Sequence, residues 1–265
     1  MLLVSAALAT FLRIMFQGLI PAGTDSGVGE SAIVKAGLLI PAFALYALLV
    51  FIVFGYIFLL IERSLPASSG IQRGLLYGSA MALVWVAYLF EPVPLGANTP
   101  FPDILAYPIA DGTAMIVFGL LLGRLVATKG PSQNVISIRP LAPLLAIAGF
   151  VVLFRLIAYN IFKIYSLYEA RALDTMLWVL VTAVIIGIAY LLLRPGLPAA
   201  TPWGKAITYG LVVFGVSITL INFFVPLALD INIVDLALRT AMDVVAVVLG
   251  TYAGERIGQS SDVKR

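Results

Sequence analysis

The chain contains no cysteine and no histidine among its 265 residues, and only 11% of it is Asp, Glu, Lys or Arg. Without cysteine there is no disulfide and no thiolate nucleophile. Without histidine there is no imidazole proton shuttle and no histidine-ligated haem. A metal held by this chain alone would rest on carboxylates and carbonyls, the ligands of hard cations. No metal site and no cofactor is evident. The scarcity of charge is equally telling, because a soluble domain carries about 25% charged residues. With 62% hydrophobic residues and a mean hydropathy of +1.09, the chain reads as an all-α integral membrane protein.

Catalytic signatures are missing as well. HExxH is impossible without histidine, and there is no G-x-S-x-G elbow, Walker motif or Gly-rich dinucleotide loop. ADGTA at 110–114 invites comparison with the membrane phosphatidyltransferases, whose signature pairs DG with a following AR. Met115 stands where that arginine belongs and the later acids are absent, so the comparison fails. The aspartates also lack the YD and GxGD contexts of an intramembrane aspartyl protease. Nothing in the sequence argues for an enzyme.

What the chain does have is a series of apolar runs near the ~20 residues that cross a bilayer as a helix. About eight transmembrane helices are expected, at 2–20, 38–61, 71–90, 106–127, 141–163, 173–193, 205–228 and 234–254. The N-terminal run has no positive n-region and reads as a first helix, not a cleaved signal. Ten Lys and Arg residues fall on one side of this arrangement, among them Arg63, Arg73, Arg124, Arg194, Lys205 and Arg256; Lys35, Lys163 and Arg171 fall on the other. Positive residues mark the cytoplasmic face, so both termini are expected inside. The expected location is a plasma membrane of prokaryotic type. The net charge of +3 lies between apolar spans, which points to topology and not to nucleic acid.

A repeat organises the chain. Shifted by 132 residues, Leu65-Pro66-Ala67 falls on Leu197-Pro198-Ala199, Tyr77-Gly78 on Tyr209-Gly210 and Val93-Pro94-Leu95 on Val225-Pro226-Leu227. Asp103 meets Asp235, Asp111 meets Asp243, and Arg124 meets Arg256. Arg13 and Arg155 pair once about ten extra residues are allowed in the first half. The expected organisation is two parallel four-helix repeats, 1–130 and 131–258, related by a pseudo-two-fold axis along the membrane normal, with a cytoplasmic tail at 259–265.

Charge inside a span needs a partner or a wet cavity. Asp235, Arg239 and Asp243 share one helix face at i, i+4, i+8 spacing, and Asp243 lies about 12 Å along the axis at 1.5 Å per residue. In the first half Tyr107 replaces the arginine, and Pro108 marks an expected helix start that would put Asp111 in the first turn. Arg13 and Arg155 sit mid-span, where arginine costs at least about 2.5 kcal/mol. Asp111 and Asp243, or an anion, are their candidate partners. These five residues, Asp111, Asp243, Arg239, Arg13 and Arg155, are the candidate ligand or ion pathway. Asp103 and Asp235 suit helix N-termini. Gly250, Gly254 and Gly258, with Gly119 and Gly123, form ridges for close helix packing, internal or between copies.

Two functions fit. The first is movement or binding of a small solute, ion or lipid at the interface of the repeats, with protonation of a buried carboxylate as a candidate coupling step. The second is a non-catalytic accessory subunit of a larger membrane complex. Expected partners are the lipid bilayer and either further copies or other membrane subunits.

Overall fold

The structure is a computed structural model that describes residues 1–20, 29–91, 101–128 and 141–262, with the side chains of 101–104 and 261–262 left aside. Among the described residues it is all-helical, without strands. The long helices are α1 (Leu2–Gly18), α3 (Leu39–Ile61), α4 (Gly70–Leu89), α5 (Phe101–Leu125), α6 (Ala142–Asn160), α7 (Ala172–Leu193), α8 (residues 202–222) and α10 (Ile233–Asp262). Short helices α2 (Ala32–Lys35) and α9 (Val225–Ala228) lie between them. Five stretches are long and apolar enough to cross a membrane: Leu39–Ser64, Leu105–Leu125, Ala142–Asn160, Ala172–Gly196 and Pro202–Ala228. The chain is an integral membrane protein. Helix α1, with 17 residues, is short for a span.

Local chemistry sets the helix starts. Ser69 and Gln72 form a reciprocal capping box at the head of α4. Thr201 accepts from the Gly204 amide where α8 begins, with Pro202 at the first position. Asn232 accepts from the amides of Val234 and Asp235 at the head of α10, so Asp235 is a first-turn acid and not the cap. Pro108 does not begin a helix. It lies inside α5, which starts at Phe101, and this places Asp111 in the third turn, deeper than the sequence suggests. Proline is tolerated within membrane helices because neighbouring groups satisfy the backbone it frees. Part of α8, Ile207–Val216, winds as a π-helix.

Glycine fixes the closest approaches. A Cβ on Gly74 would lie 2.0 Å from the Gly119 carbonyl oxygen, and one on Gly119 would lie 2.3 Å from that of Gly74. Gly70 and Gly123 meet in the same way, so α4 and α5 touch backbone to backbone. On α10, a Cβ on Gly254 would lie 2.2 Å from Pro143 Cα and one on Gly250 2.6 Å from Ile147 Cα, both on α6. Gly258 is buried one turn further on. At Gly119, Gly123, Gly250 and Gly254 the ridges are filled by the protein's own helices.

Paired contacts recur at the 132-residue offset. The Tyr77 hydroxyl donates to the Phe54 carbonyl at 2.8 Å, and the Tyr209 hydroxyl donates to the Ile186 carbonyl at 2.8 Å. All four residues are buried. Between residues 1–130 and the rest of the chain, Tyr46 donates to the Leu220 carbonyl at 2.9 Å. At one end a short strap joins Gly29–Ser31 to Leu227–Asp230. There the Ser31 amide donates to the Ala228 carbonyl (3.1 Å) and the Asp230 amide to that of Gly29 (2.7 Å), while the Ser31 hydroxyl donates to that of Leu227 (2.7 Å).

Candidate functional site: two buried arginine centres

Helix α1 carries Arg13 into the protein interior at 3% exposure, opposite Asp111 of α5, also at 3%. Its Nε and Nη2 donate to the two Asp111 oxygens at 2.8 and 2.9 Å, a bidentate pair. Gln17, one turn along α1, donates to the same carboxylate at 2.8 Å. The guanidinium carbon lies 4.0 Å from the ring centroid of Phe224, 4.9 Å from Trp85 and 5.5 Å from Phe43. Such stacking suits a planar, weakly hydrated cation. The remaining nitrogen, Nη1, is buried without a hydrogen-bond partner.

The second centre has the same core and a larger periphery. Arg155 of α6 donates through Nε and Nη2 to Asp243 of α10 at 2.8 and 2.6 Å. Tyr88 of α4 donates to Asp243 at 3.0 Å, and Trp178 of α7 lies 5.1 Å from the guanidinium. Here Nη1 is satisfied, by Glu91 at 3.0 Å. Glu91 also accepts from Arg239 of α10 at 2.6 Å. Arg239 reaches Asp235 at 3.5 Å and donates to the Tyr165 carbonyl; it does not bond Asp243. The other Asp235 oxygen accepts from the Tyr165 amide at 2.8 Å.

The difference between the centres has a sequence origin. Position 91 corresponds at the 132-residue offset to Phe223, so the first centre lacks the acid that completes the second. Glu91 is the residue that sequence reasoning missed. It lies just beyond α4, where an acid before a proline at the outer end of a span reads as an interfacial residue. Burial alone would raise its pKa, but the charges of Arg239 and Arg155 outweigh that and hold the carboxyl below its ordinary value.

Beside Glu91 lies a recess lined by Tyr159, Tyr165, Ser166, Thr175, Trp178 and Arg239, together with Leu167. It has room for about one water molecule. Two buried polar atoms of its lining residues, Arg239 Nε and the Thr175 hydroxyl, have no hydrogen-bond partner.

No family model, curated protein or solved structure matches this chain.

Two further ionic clusters lie at the opposite helix ends. Glu62, after α3, accepts from Arg73 at 2.8 Å and from Thr128 at 2.8 Å. Glu255 of α10 accepts from Arg194 (2.5 Å), Lys205 (2.8 Å) and Tyr190 (2.6 Å). Arg73 and Lys205 lie 132 residues apart in the sequence, while Glu62 follows α3 and Glu255 lies on α10. The Asp103 side chain lies outside the described residues. No group of three or more carboxylates suited to a metal occurs among the described residues.

Proposed function

We propose that the chain consists of two four-helix repeats, with both termini cytoplasmic, and binds a small solute, ion or lipid where the repeats meet. The observation that carries this reading is the recess at Glu91. Glu91 comes from the first half and the rest of the wall from the second, and the buried charge network Glu91–Arg155–Asp243 with Arg239 runs across that junction. Arg155 links Glu91 to Asp243, and Arg239 forms one side of the recess. Arg13 and Asp111 form the corresponding pair in the first half.

A second reading is an accessory subunit of a membrane complex. It is favoured by a specific feature of the same geometry: Asp111 and Asp243 each hold an arginine through both oxygens. Pairs closed in this way serve packing and leave no vacant acid for proton coupling.

Native mass spectrometry of the protein released gently from its membrane separates the two. A lone chain or homo-oligomer that retains a small molecule supports ligand binding. Stoichiometric partner subunits with no retained molecule support the accessory role.

A further inference from the structure

The rim that carries Glu62 and Glu255 holds a surplus of positive charge. Its described side chains include Arg63, Arg73, Arg124, Arg194, Lys205 and Arg256 against those two acids, a balance of +4. Both acids are turned inwards, Glu62 onto Arg73 and Glu255 onto Arg194 and Lys205. Arg124 and Arg256 are exposed and form no ion pair among the described residues. The rim stands where the apolar stretches end. Ala172–Gly196 closes with Arg194, and Pro202–Ala228 opens with Trp203 and Lys205, so these side chains lie at headgroup level.

One place on the rim joins a cation to an interfacial aromatic. Trp203 is 53% exposed and meets Tyr252 edge-on, with ring centroids 5.4 Å apart. Tyr252 and Arg256 are four residues apart on α10 and share a helix face, which sets the exposed Arg256 on the Trp203 side. Glu255 ties Arg194 and Lys205 to the neighbouring position on the same helix. With Arg256 that cluster carries +2, so it favours an anion. A guanidinium fork matches phosphate geometry, and indole rings settle at headgroup level. The place 132 residues earlier keeps the arginine, Arg124, but has Ile71 and Leu120 where the aromatics stand.

We propose that Arg256 and Trp203 form a binding site for the headgroup of an anionic phospholipid. Its phosphodiester takes the Arg256 guanidinium in the positive field of Arg194 and Lys205, and its glycerol backbone rests against the Trp203 ring. The site lies at the opposite helix ends from Glu91 and is independent of ligand binding there.

The test is native mass spectrometry of the full chain released from nanodiscs of equal phosphatidylglycerol and phosphatidylcholine with the same acyl chains. The parent should retain phosphatidylglycerol over phosphatidylcholine by about fivefold or more, the factor one basic residue contributes near an anionic surface. Arg256→Gln should lower that preference about fivefold, Arg256→Lys should keep most of it, and Arg124→Gln should change it less than twofold. Arg256 is exposed and unpaired, so Arg256→Gln in phosphatidylcholine alone should melt with the parent. Equal retention of the two lipids by the parent, or an unchanged preference in Arg256→Gln, would overturn the proposal. Equal losses in Arg124→Gln and Arg256→Gln would overturn it as well, because the diffuse charge of the rim would then suffice. Displacement of the retained phosphatidylglycerol by millimolar glycerol phosphate would assign the site to a free anion and refute the lipid assignment.

Discussion

Asp111→Asn and Asp243→Asn look like the same substitution in two copies of one motif, yet they should differ in cost. Each removes the counter-charge of a buried arginine. Two unit charges about 4 Å apart attract by roughly 4 kcal/mol at an effective dielectric constant near 20, and breaking a buried pair typically costs about 3–5 kcal/mol. After Asp111→Asn, Arg13 keeps no acid among the described partners; its Nη1 is already without a bond, and Phe224, Trp85 and Phe43 surround it. After Asp243→Asn, Arg155 keeps Glu91 at 3.0 Å, although that acid is shared with Arg239. Asp111→Asn should therefore cost about 3–5 kcal/mol and Asp243→Asn at least about 1 kcal/mol less. Equilibrium unfolding in mixed micelles measures both. Replacing both partners, as in Arg13→Met with Asp111→Leu, should recover most of the loss because no uncompensated charge remains. Equal costs in the two halves, or a larger cost for Asp243→Asn, would refute the role assigned to Glu91. No recovery in the apolar double variant would refute the assignment of the cost to an orphaned charge.

Other substitutions test the packing and the repeat. Gly119→Ala should destabilise by about 1–3 kcal/mol through overpacking, because its methyl would lie 2.3 Å from the Gly74 carbonyl; Gly149→Ala, in open space on α6, should not, and equal melting temperatures would contradict the contact. Tyr77→Phe and Tyr209→Phe each remove one equivalent buried bond and should each cost about 1 kcal/mol; a twofold difference in unfolding free energy would count against equivalence. The Glu91 carboxyl is held below its ordinary pKa, so its stabilising effect is complete above the ordinary value and is lost as pH falls through the lowered one. Acid melting curves of Glu91→Gln should accordingly be flatter than those of the parent, and parallel curves would exclude the effect.

The parts of the site that can be read from sequence are those governed by cost. A mid-span arginine requires a counter-charge, so Arg13 and Arg155 draw attention without a structure, and aspartates at repeated spacing are the natural partners. Glu91 escapes that logic. It lies where acids are common, and the arginines it joins are 64 and 148 residues away. The acids of the opposite face, Glu62 and Glu255, escape for the same reason, since an acid near a helix end looks solvated. Pro108 misleads in the other direction. As a helix breaker it suggests a start, whereas the helix continues through it and carries Asp111 deeper. The hydroxyl-to-carbonyl bonds of Tyr77 and Tyr209 could not be read at all, because backbone acceptors leave no trace in side-chain identity.

The strap between Gly29–Ser31 and Leu227–Asp230 has a consequence for motion. Two backbone bonds and a serine hydroxyl stitch a loop of the first half to a loop of the second at one rim of the bundle. Residues 1–130 and the rest of the chain are also joined away from this rim, where Tyr46 donates to the Leu220 carbonyl, Tyr88 to Asp243, and Arg155 and Arg239 to Glu91. Held at several levels, the two parts are fastened against swinging apart about the strap. At the opposite rim the Glu62 and Glu255 clusters are each closed on their own side, yet Gly196 sits against Leu65 and the Ile61 carbonyl, so that edge is packed shut as well.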